Sequence, residues 1–415
     1  MLTAVDSVRS RMRADFESIN ETTNYTSGAN GGRYNLAMLR KLASRPDWQI
    51  AMALTAGLRI FYTALAASFL PFLPPDPAPL HSNALTENLP VPHGLHYALL
   101  GIWERFDTLW FLRIAKQGYD RPMAVIFYPL YPMTIRLVSE LMPGLMAALL
   151  VSTVAAFFFF WGLLRLASGL SPVGRFRMLL LVCVWPTSFI LFAGYAESLT
   201  LALVVWAVIF GREARWELAT VCGLFAGIGR PSGVLVCIPL AVMALRSRQA
   251  RSLVVTLTPL GLLGYWGWLR WSGRTSVVEA YRVYQGMTMV YPWKGLGEAL
   301  RLIVTEYDAL LVIKLCLVIA VAIFSLRRQG PTQMQTQVRI EDKVFALAVI
   351  LQMLMYTGRP LLGAARYLLM AYPAFLVWGA YTERWSGKRL GFYLSALGIL
   401  NLAWMWAFLK WSLVF

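Results

Sequence analysis

Long apolar blocks alternate along the chain with short polar stretches that carry most of its charged residues. The blocks are about 20 residues long, the length of helix that crosses the ~30 Å hydrocarbon layer of a bilayer. The pattern contains neither strand-like alternation nor a clear internal repeat. The sequence therefore predicts an all-α polytopic membrane protein that crosses the bilayer about eleven times. The apolar blocks lie at 51–73, 145–164, 178–193, 198–210, 218–245, 252–271, 308–326, 344–357, 361–380 and 390–410.

The block at 218–245 is longer than one crossing requires, and basic residues flank both of its ends, including Arg215 and Arg246. Near its centre lies Gly229-Arg230-Pro231-Ser232-Gly233, where proline and two glycines interrupt a helix. The pattern predicts two half-length helices that meet at a polar turn. In membrane proteins such a turn is tolerated where the backbone lines a cavity.

The basic residues beside the apolar blocks set the predicted topology, because cytoplasmic loops are enriched in Lys and Arg. In this scheme residues 1–47 form a polar cytoplasmic segment, and 48–415 form a multi-pass transmembrane domain whose C-terminus is extracytoplasmic. Two long extracytoplasmic loops are expected, at 74–144 and 272–307. The protein is expected in the cell membrane if its source is prokaryotic.

Composition strengthens the membrane prediction and limits the partners. Of the 415 residues, 58% are hydrophobic and 14% are charged, which is more apolar surface than one soluble core can hide. The formal net charge is +17, but most Lys and Arg flank apolar blocks, where they meet membrane lipids rather than nucleic acid. The three histidines share one loop and the four cysteines lie inside apolar blocks, so no metal site is predicted.

One charged residue lies inside the first apolar block. Arg59 is about a third of the way along it, so its side chain must pack within the helical bundle. A carboxylate partner for Arg59 is expected.

The first outer loop contains the segment 103–120, WERFDTLWFLRIAKQGYD. Drawn as one helix, it groups Arg105 and Arg113 on one side and sets Asp107 among aromatic residues such as Trp110 on the other. A carboxylate on an aromatic face must be paired, desolvated or open to a cavity. Two interpretations follow: a salt-bridged structural aspartate, or a general base tuned by its surroundings.

The residues around Asp107 form an ordered set of short motifs. Phe106-Asp107 is followed by Leu109-Trp110-Phe111, Ile114-Ala115, Gly118-Tyr119 and Phe127-Tyr128-Pro129-Leu130-Tyr131-Pro132. This set resembles the signature of the GPI mannosyltransferase II family and its prokaryotic relatives, in the GT-C superfamily. Further similar elements are Trp185-Pro186-Thr187-Ser188 with Tyr195-Ala196-Glu197-Ser198, Gly229-Arg230-Pro231-Ser232-Gly233, and Ala365-Arg366-Tyr367-Leu368 with Pro373.

The resemblance implies a GT-C-type bundle and a glycosyltransferase that takes mannose from a polyprenyl-phosphate-mannose lipid. It also implies that Asp107 is the catalytic base. The predicted topology puts Arg230 and Arg366 at the outer boundary, level with the donor phosphate, and we expect them to bind it. The expected substrate-binding residues are Trp110, Tyr119, Tyr128, Tyr131, Glu197, Gln285, Trp293 and Tyr367.

The expected reaction is inverting transfer to a lipid, glycan or protein acceptor. Departures from the family pattern at Phe106, Trp185 and Pro231-Ser232 leave the acceptor open. A phosphate monoester leaving group carries less charge than a nucleoside diphosphate, so no cofactor is expected, and a divalent cation stays open. Two alternatives also stay open: transfer of another polyprenyl-phosphate sugar such as glucose or arabinose, and lipid or solute transport, since transporters also use broken helices.

Overall fold

The computed structural model describes residues 45–73, 94–327 and 338–412 of the chain. Most of the predicted N-terminal segment 1–47 lies outside the described residues, as does the first part of the predicted outer loop 74–144. Of the three histidines, His96 is described, whereas His81 and His93 lie outside these ranges.

The described chain is almost wholly helical, as the hydrophobic pattern predicts. Short 3-10 helices follow or join several of the α-helices, at Leu70–Phe72, Gly101–Trp103, Pro122–Ile126, Ser188–Phe192, Pro231–Val236, Ala250–Leu257 and Leu368–Met370. The α-helices are α1 (Asp47–Phe69), α2 (Gly94–Leu99), α3 (Asp107–Gln117), α4 (Leu130–Val138), α5 (Gly144–Leu166), α6 (Pro172–Cys183), α7 (Glu197–Arg212), α8 (Trp216–Gly229), α9 (Cys237–Ser247), α10 (Leu260–Trp271), α11 (Val277–Gln285), α12 (Pro292–Glu306), α13 (Ala309–Leu326), α14 (Ile340–Met353), α15 (Ala364–Tyr367), α16 (Tyr372–Thr382) and α17 (Gly387–Leu409).

Five described helical stretches are long and apolar enough to cross a membrane. Other predicted crossings are divided between shorter elements: α6, for example, has 12 residues and a length of only about 18 Å. The described chain is therefore that of a helical membrane protein, while the count of about eleven crossings and the GT-C arrangement stay predictions. The five stretches are Asp47–Phe72, Gly144–Leu166, Ala250–Trp271, Ala309–Leu326 and Gly387–Leu409.

Helix α7 lies at the centre of the packing and contacts both α5 and α8. Helix α1 packs on the other side of the bundle against α5, and α16 packs against α6 and α13. The core between these helices is rich in large rings, and Trp103, Trp185 and Trp378 are fully buried. Because α7 is buried along most of its length, its two ends hold polar groups inside the protein rather than at its surface.

The predicted interruption at 229–233 is confirmed. Helix α8 ends at Gly229, Arg230 is extended, and a 3-10 turn over Pro231–Val236 leads into α9. The turn folds back onto α8 so closely that a Cβ on Gly233 would lie 2.0 Å from the carbonyl oxygen of Ala226. A glycine is therefore required where the chain reverses, and the reversal leaves the Arg230 side chain at the helix break.

The helical chain contains one short strand pair. Thr288–Met289 (β1) pairs antiparallel with Tyr356–Thr357 (β2), in a ladder too short to be visible as a sequence pattern. The next residue, Gly358, has a φ of +84°, and a Cβ there would lie 2.0 Å from the Gly286 carbonyl oxygen. The strand pair and this glycine contact join the second predicted outer loop to the end of α14.

Two expectations from the sequence are wrong. Segment 103–120 is not one helix, because a 3-10 turn ends at Trp103 and α3 begins at Asp107. Arg59 has no carboxylate partner among the described residues; its Nη1 donates to the Phe192 carbonyl oxygen at 2.6 Å, and its guanidinium lies over the Trp103 ring. A backbone acceptor and an aromatic face can stabilise a buried guanidinium without a second charge.

Candidate functional site

A cavity of about 510 Å³ opens at the end of the bundle where α3 and α7 begin and α8 ends. Its walls combine aromatic rings with a few charged and amide side chains, the composition typical of ligand-binding pockets. The lining residues include Phe106, Asp107, Trp110, Phe127, Tyr128, Arg230, Tyr281, Tyr284, Gln285, Gln352, Tyr356, Arg359, Arg366, Tyr367 and Trp411.

Asp107 is fixed at this cavity by the start of α3. Its backbone N–H donates to the Tyr195 hydroxyl at 3.4 Å, and the Thr108 hydroxyl donates to the Ala193 carbonyl at 2.7 Å. The preceding residue, Phe106, has a φ of +46°, a conformation that costs a non-glycine residue energy. Backbone strain of this kind is found at functional sites more often than elsewhere, and here it directly precedes Asp107.

Four charged residues form what we call the cavity cluster: Asp107, Glu197, Arg230 and Arg366. Arg366 Nη1 donates to Asp107 Oδ2 at 2.9 Å and lies 3.3 Å from Glu197 Oε1. Arg230 Nη1 is 2.6 Å from the same Glu197 oxygen. The two guanidinium groups therefore balance the two carboxylates, and Glu197 lies behind both arginines.

Hydrogen bonding in the cavity cluster is incomplete. The Glu197 side chain is 3% exposed, yet neither of its oxygens accepts a well-aligned hydrogen bond from a described residue. Arg230 Nε also lacks a hydrogen-bond partner in the described part of the chain. Glu197 Oε1 is nevertheless ion-paired with both arginines, so the atoms left open to an additional polar group are Glu197 Oε2 and Arg230 Nε.

Aromatic rings hold the two arginines in place. The guanidinium carbon of Arg230 lies 4.9 Å from the centre of the Tyr367 ring, and that of Arg366 lies 5.5 Å from the Tyr195 ring. Cation–π contacts of this geometry stabilise a buried cation without using its N–H donors. Tyr367 thus shields one side of the cluster while it lines the cavity.

The structure brings seven of the sequence-predicted site residues to the cavity wall. Trp110 stacks on Phe127 with the ring centres 5.3 Å apart, and the Tyr128 hydroxyl accepts from Trp266 Nε1 at 3.0 Å. The full set at the wall is Asp107, Trp110, Tyr128, Arg230, Gln285, Arg366 and Tyr367.

Four predicted residues lie away from the wall. Tyr131 is fully buried and its hydroxyl donates to the Ala148 carbonyl at 2.7 Å, whereas Tyr119 donates to the Phe127 carbonyl at 2.7 Å. Glu197 lies behind the arginines, and Trp293 stacks on Tyr291 at the surface, where it is 66% exposed. In this structure these side chains support neighbouring residues or the surface, and their predicted substrate contacts stay predictions.

The polar or aromatic wall residues that were not predicted from the sequence include Gln352, Tyr356, Arg359 and Trp411. One signal for Arg359 was present. Gly358-Arg359-Pro360 repeats the order of Gly229-Arg230-Pro231; the first tripeptide directly follows β2, and the second begins at the last residue of α8.

Glu104 is a partly buried acid three positions before Asp107. Burial raises the pKa of Glu104 to about 7, while the charge of the neighbouring Arg105 acts in the opposite direction.

Within the described residues no three His, Cys, Asp or Glu side chains form a group able to hold a metal ion. That the protein works without a cofactor stays a prediction, and the need for a divalent cation stays open.

No family model, no curated protein and no solved structure matches the chain. The likeness of its motifs to the GPI mannosyltransferase II family therefore stays a resemblance. The function has to be argued from the residues at the cavity.

Proposed function

We propose that the chain is a membrane glycosyltransferase that transfers mannose from a polyprenyl-phosphate-mannose donor to an acceptor hydroxyl, with inversion, on the extracytoplasmic side of the membrane. The acceptor is a lipid, a glycan or a protein. The cavity at one end of the bundle is the proposed reaction site, since it is lined by aromatic rings and contains Asp107 and two arginines of the cavity cluster.

The observation that carries the proposal is the state of the Asp107 carboxylate. One oxygen, Oδ2, is held by Arg366, whereas no described residue donates a hydrogen bond to Oδ1. The side chain is 25% exposed and lines the cavity. A carboxylate with one oxygen fixed and the other open to a bound ligand has the geometry that a general base requires.

In the proposed reaction, Asp107 accepts the proton of the acceptor hydroxyl. The hydroxyl oxygen forms a bond to the anomeric carbon from one side, and the bond from that carbon to the phosphate oxygen breaks on the other side. The electron pair of the broken bond leaves with the polyprenyl phosphate. A β-linked donor sugar consequently becomes an α-mannoside.

The leaving phosphate needs hydrogen-bond donors as its charge develops. Arg230 is suited to this role because it lines the cavity, is held by the Tyr367 ring and has Nε unused by described residues. Arg366 already donates to Asp107, so its proposed part is to position the base. Trp110 and Tyr128 supply ring faces for the sugar.

The test compares Asp107→Asn with a matched variant, Asp120→Asn. Asp120 belongs to the same predicted loop and also pairs with an arginine, Arg113, but it does not line the cavity. The purified proteins are incubated with radiolabelled polyprenyl-phosphate-mannose and a panel of lipid, glycan and peptide acceptors. We expect Asp107→Asn to lower kcat by about 10²–10⁴-fold and Asp120→Asn to leave it within about twofold.

Equal activity of the two variants would remove Asp107 from the mechanism. Transfer only from glucose- or arabinose-linked donors would keep the enzyme class and change the sugar. If the wild-type protein consumes no polyprenyl-phosphate sugar but moves lipid or solute across a vesicle membrane, the transport alternative is correct.

A further inference from the structure

The charges of the cavity do not cancel completely. In the described chain the charged side chains at its wall are Asp107, Arg230, Arg359 and Arg366, and Glu197 lies directly behind them. Arg230 and Arg366 are matched by the two carboxylates within 3.3 Å. Arg359 has no acidic partner among the described residues, so it gives the cavity an uncompensated positive charge.

The backbone places Arg359 at the outer rim. It is solvent-exposed, whereas the Arg230 and Arg366 side chains are each 11% exposed. It directly follows β2 and Gly358, whose tight contact with Gly286 fixes the direction of the chain at this point. Arg359 is thus a long cationic side chain on a constrained turn, as Arg230 is at the other Gly-Arg-Pro tripeptide.

Uncommitted amide groups share the same wall. Gln285 and Gln352 line the cavity, and neither side chain makes a hydrogen bond to another described residue. The Tyr284 hydroxyl also belongs to the wall and makes no hydrogen bond to another described residue. A cation together with amide and hydroxyl donors is a chemical environment suited to a phosphate group, whose oxygens accept several hydrogen bonds at once.

We propose that Arg359, together with Gln285 and Gln352, forms a phosphate-binding site at the rim of the cavity. Its ligand is the phosphate group of a lipid substrate. The inner arginines are electrically balanced by Asp107 and Glu197, so Arg359 supplies the charge that attracts and retains the anion. Assigning this phosphate to the glycosyl donor rests on the proposed function; the existence of the site does not.

A binding experiment tests the site without any transfer reaction. The probes are farnesyl phosphate and, as the uncharged counterpart of equal chain length, farnesol. The proteins are the wild type, Arg359→Gln, Arg359→Lys and a control, Arg282→Gln, which removes an exposed arginine of α11 that pairs with Glu279 outside the cavity. Equal thermal unfolding midpoints in nonionic detergent establish that the variants are folded.

We expect Arg359→Gln to weaken farnesyl phosphate binding by about tenfold or more, with farnesol binding unchanged. Arg359→Lys should regain part of the loss, and Arg282→Gln should bind as the wild type does. Equal affinity of Arg359→Gln and Arg282→Gln for farnesyl phosphate overturns the site. The site is also overturned if Arg359→Gln weakens the binding of farnesyl phosphate and of farnesol equally, because the loss is then not specific to phosphate.

Transfer kinetics identify the source of the phosphate. A raised KM for the donor, with an unchanged KM for an uncharged acceptor, assigns the site to the donor lipid. A raised KM confined to acceptors that carry a phosphate assigns it to the acceptor. If no sugar is transferred by any variant while phosphate binding still depends on Arg359, the rim site stands and the glycosyltransferase proposal fails.

Discussion

Each end of helix α7 holds a buried carboxylate paired with arginine, but the two carboxylates differ in how many hydrogen bonds they accept. At its start, Glu197 belongs to the cavity cluster. At its end, roughly 22 Å away, Arg212 pairs with Asp342 in what we call the distal cluster, which also contains Tyr372. Asp342 is fully buried and Glu197 is 3% exposed, so both carboxylates are removed from bulk water.

The difference lies in hydrogen bonding. In the distal cluster one Asp342 oxygen accepts from the Tyr372 hydroxyl at 2.6 Å, and the other accepts from Arg212 and from the Arg339 backbone N–H. In the cavity cluster, neither Glu197 oxygen has a well-aligned donor within the described residues. The difference between the clusters thus lies at the carboxylates: both Asp342 oxygens accept hydrogen bonds, which fixes the fold, whereas the Glu197 carboxylate beside the cavity is left open to a ligand.

The largest expected difference between the ends is in stability. Asp342→Asn leaves the Arg212 charge buried without its carboxylate, and we expect it to lower the free energy of unfolding by roughly 3–5 kcal/mol. Glu197→Gln should cost less than half as much, because Arg230 and Arg366 line a cavity and Arg366 retains Asp107. Denaturant unfolding in detergent measures both. Equal losses would mean that the two clusters have the same structural role.

A second expected difference concerns pH and the Glu104 carboxyl, three positions before Asp107. Since burial raises the pKa of Glu104 from its ordinary value to about 7, the folded state binds a proton more tightly than the unfolded state. Stability from this group is complete at pH 4 and is lost as the pH rises to about 7, by roughly 3 kcal/mol at most. Glu104→Gln should therefore make the thermal unfolding midpoint fall less steeply with pH over this range; the part of the fall due to Glu383, whose pKa burial also raises, should remain.

The control for the pH measurement is Glu140→Gln, which changes an exposed glutamate of the same predicted loop. Its pH profile should follow that of the wild type. A wild-type profile that does not decline between pH 5 and 7, or one that Glu104→Gln leaves unaltered, contradicts the prediction.

The smallest expected effect is a change in anion affinity. Glu197→Gln preserves the shape of the side chain but removes one of the two charges that balance Arg230 and Arg366. Farnesyl phosphate should then bind about three- to tenfold more tightly, an effect worth up to about 1.4 kcal/mol. Asp342→Asn, at the other end of the bundle, should leave the affinity of the folded protein unchanged. An affinity that Glu197→Gln lowers would show that Glu197 itself contributes to binding.

Local chemistry made part of this fold predictable from sequence. Apolar blocks of helical length indicate helices, and Gly229 to Gly233 contains its own signal for a break. The start of α3 was harder: the aromatic and polar residues from Trp103 onward are compatible with a helix, but Phe106 takes a positive φ that only its tertiary contacts can hold. The propensity of a segment does not report such contacts.

Pairings across long sequence distances were not predictable. Arg366 and Asp107 are 259 residues apart, and their direct contact follows from how α3, α7 and α15 meet, which no local pattern encodes. The two-residue strands are likewise too short for any periodicity. Arg359 entered the site only because the strand pair brings its turn to the cavity, although the repeated Gly-Arg-Pro tripeptide was visible in the sequence.

The packing of Phe106 has a consequence for biogenesis. Its ring lies against Phe408 and Trp411, with ring centres 5.7 and 5.4 Å away, and the adjacent Arg105 donates to the carbonyl of Leu409, 304 positions later in the chain. Ribosomes add residues in order, so the strained peptide beside Asp107 acquires its supporting rings only after α17 has been synthesised and inserted. A nascent chain consequently carries an unfinished cavity wall through nearly all of its translation.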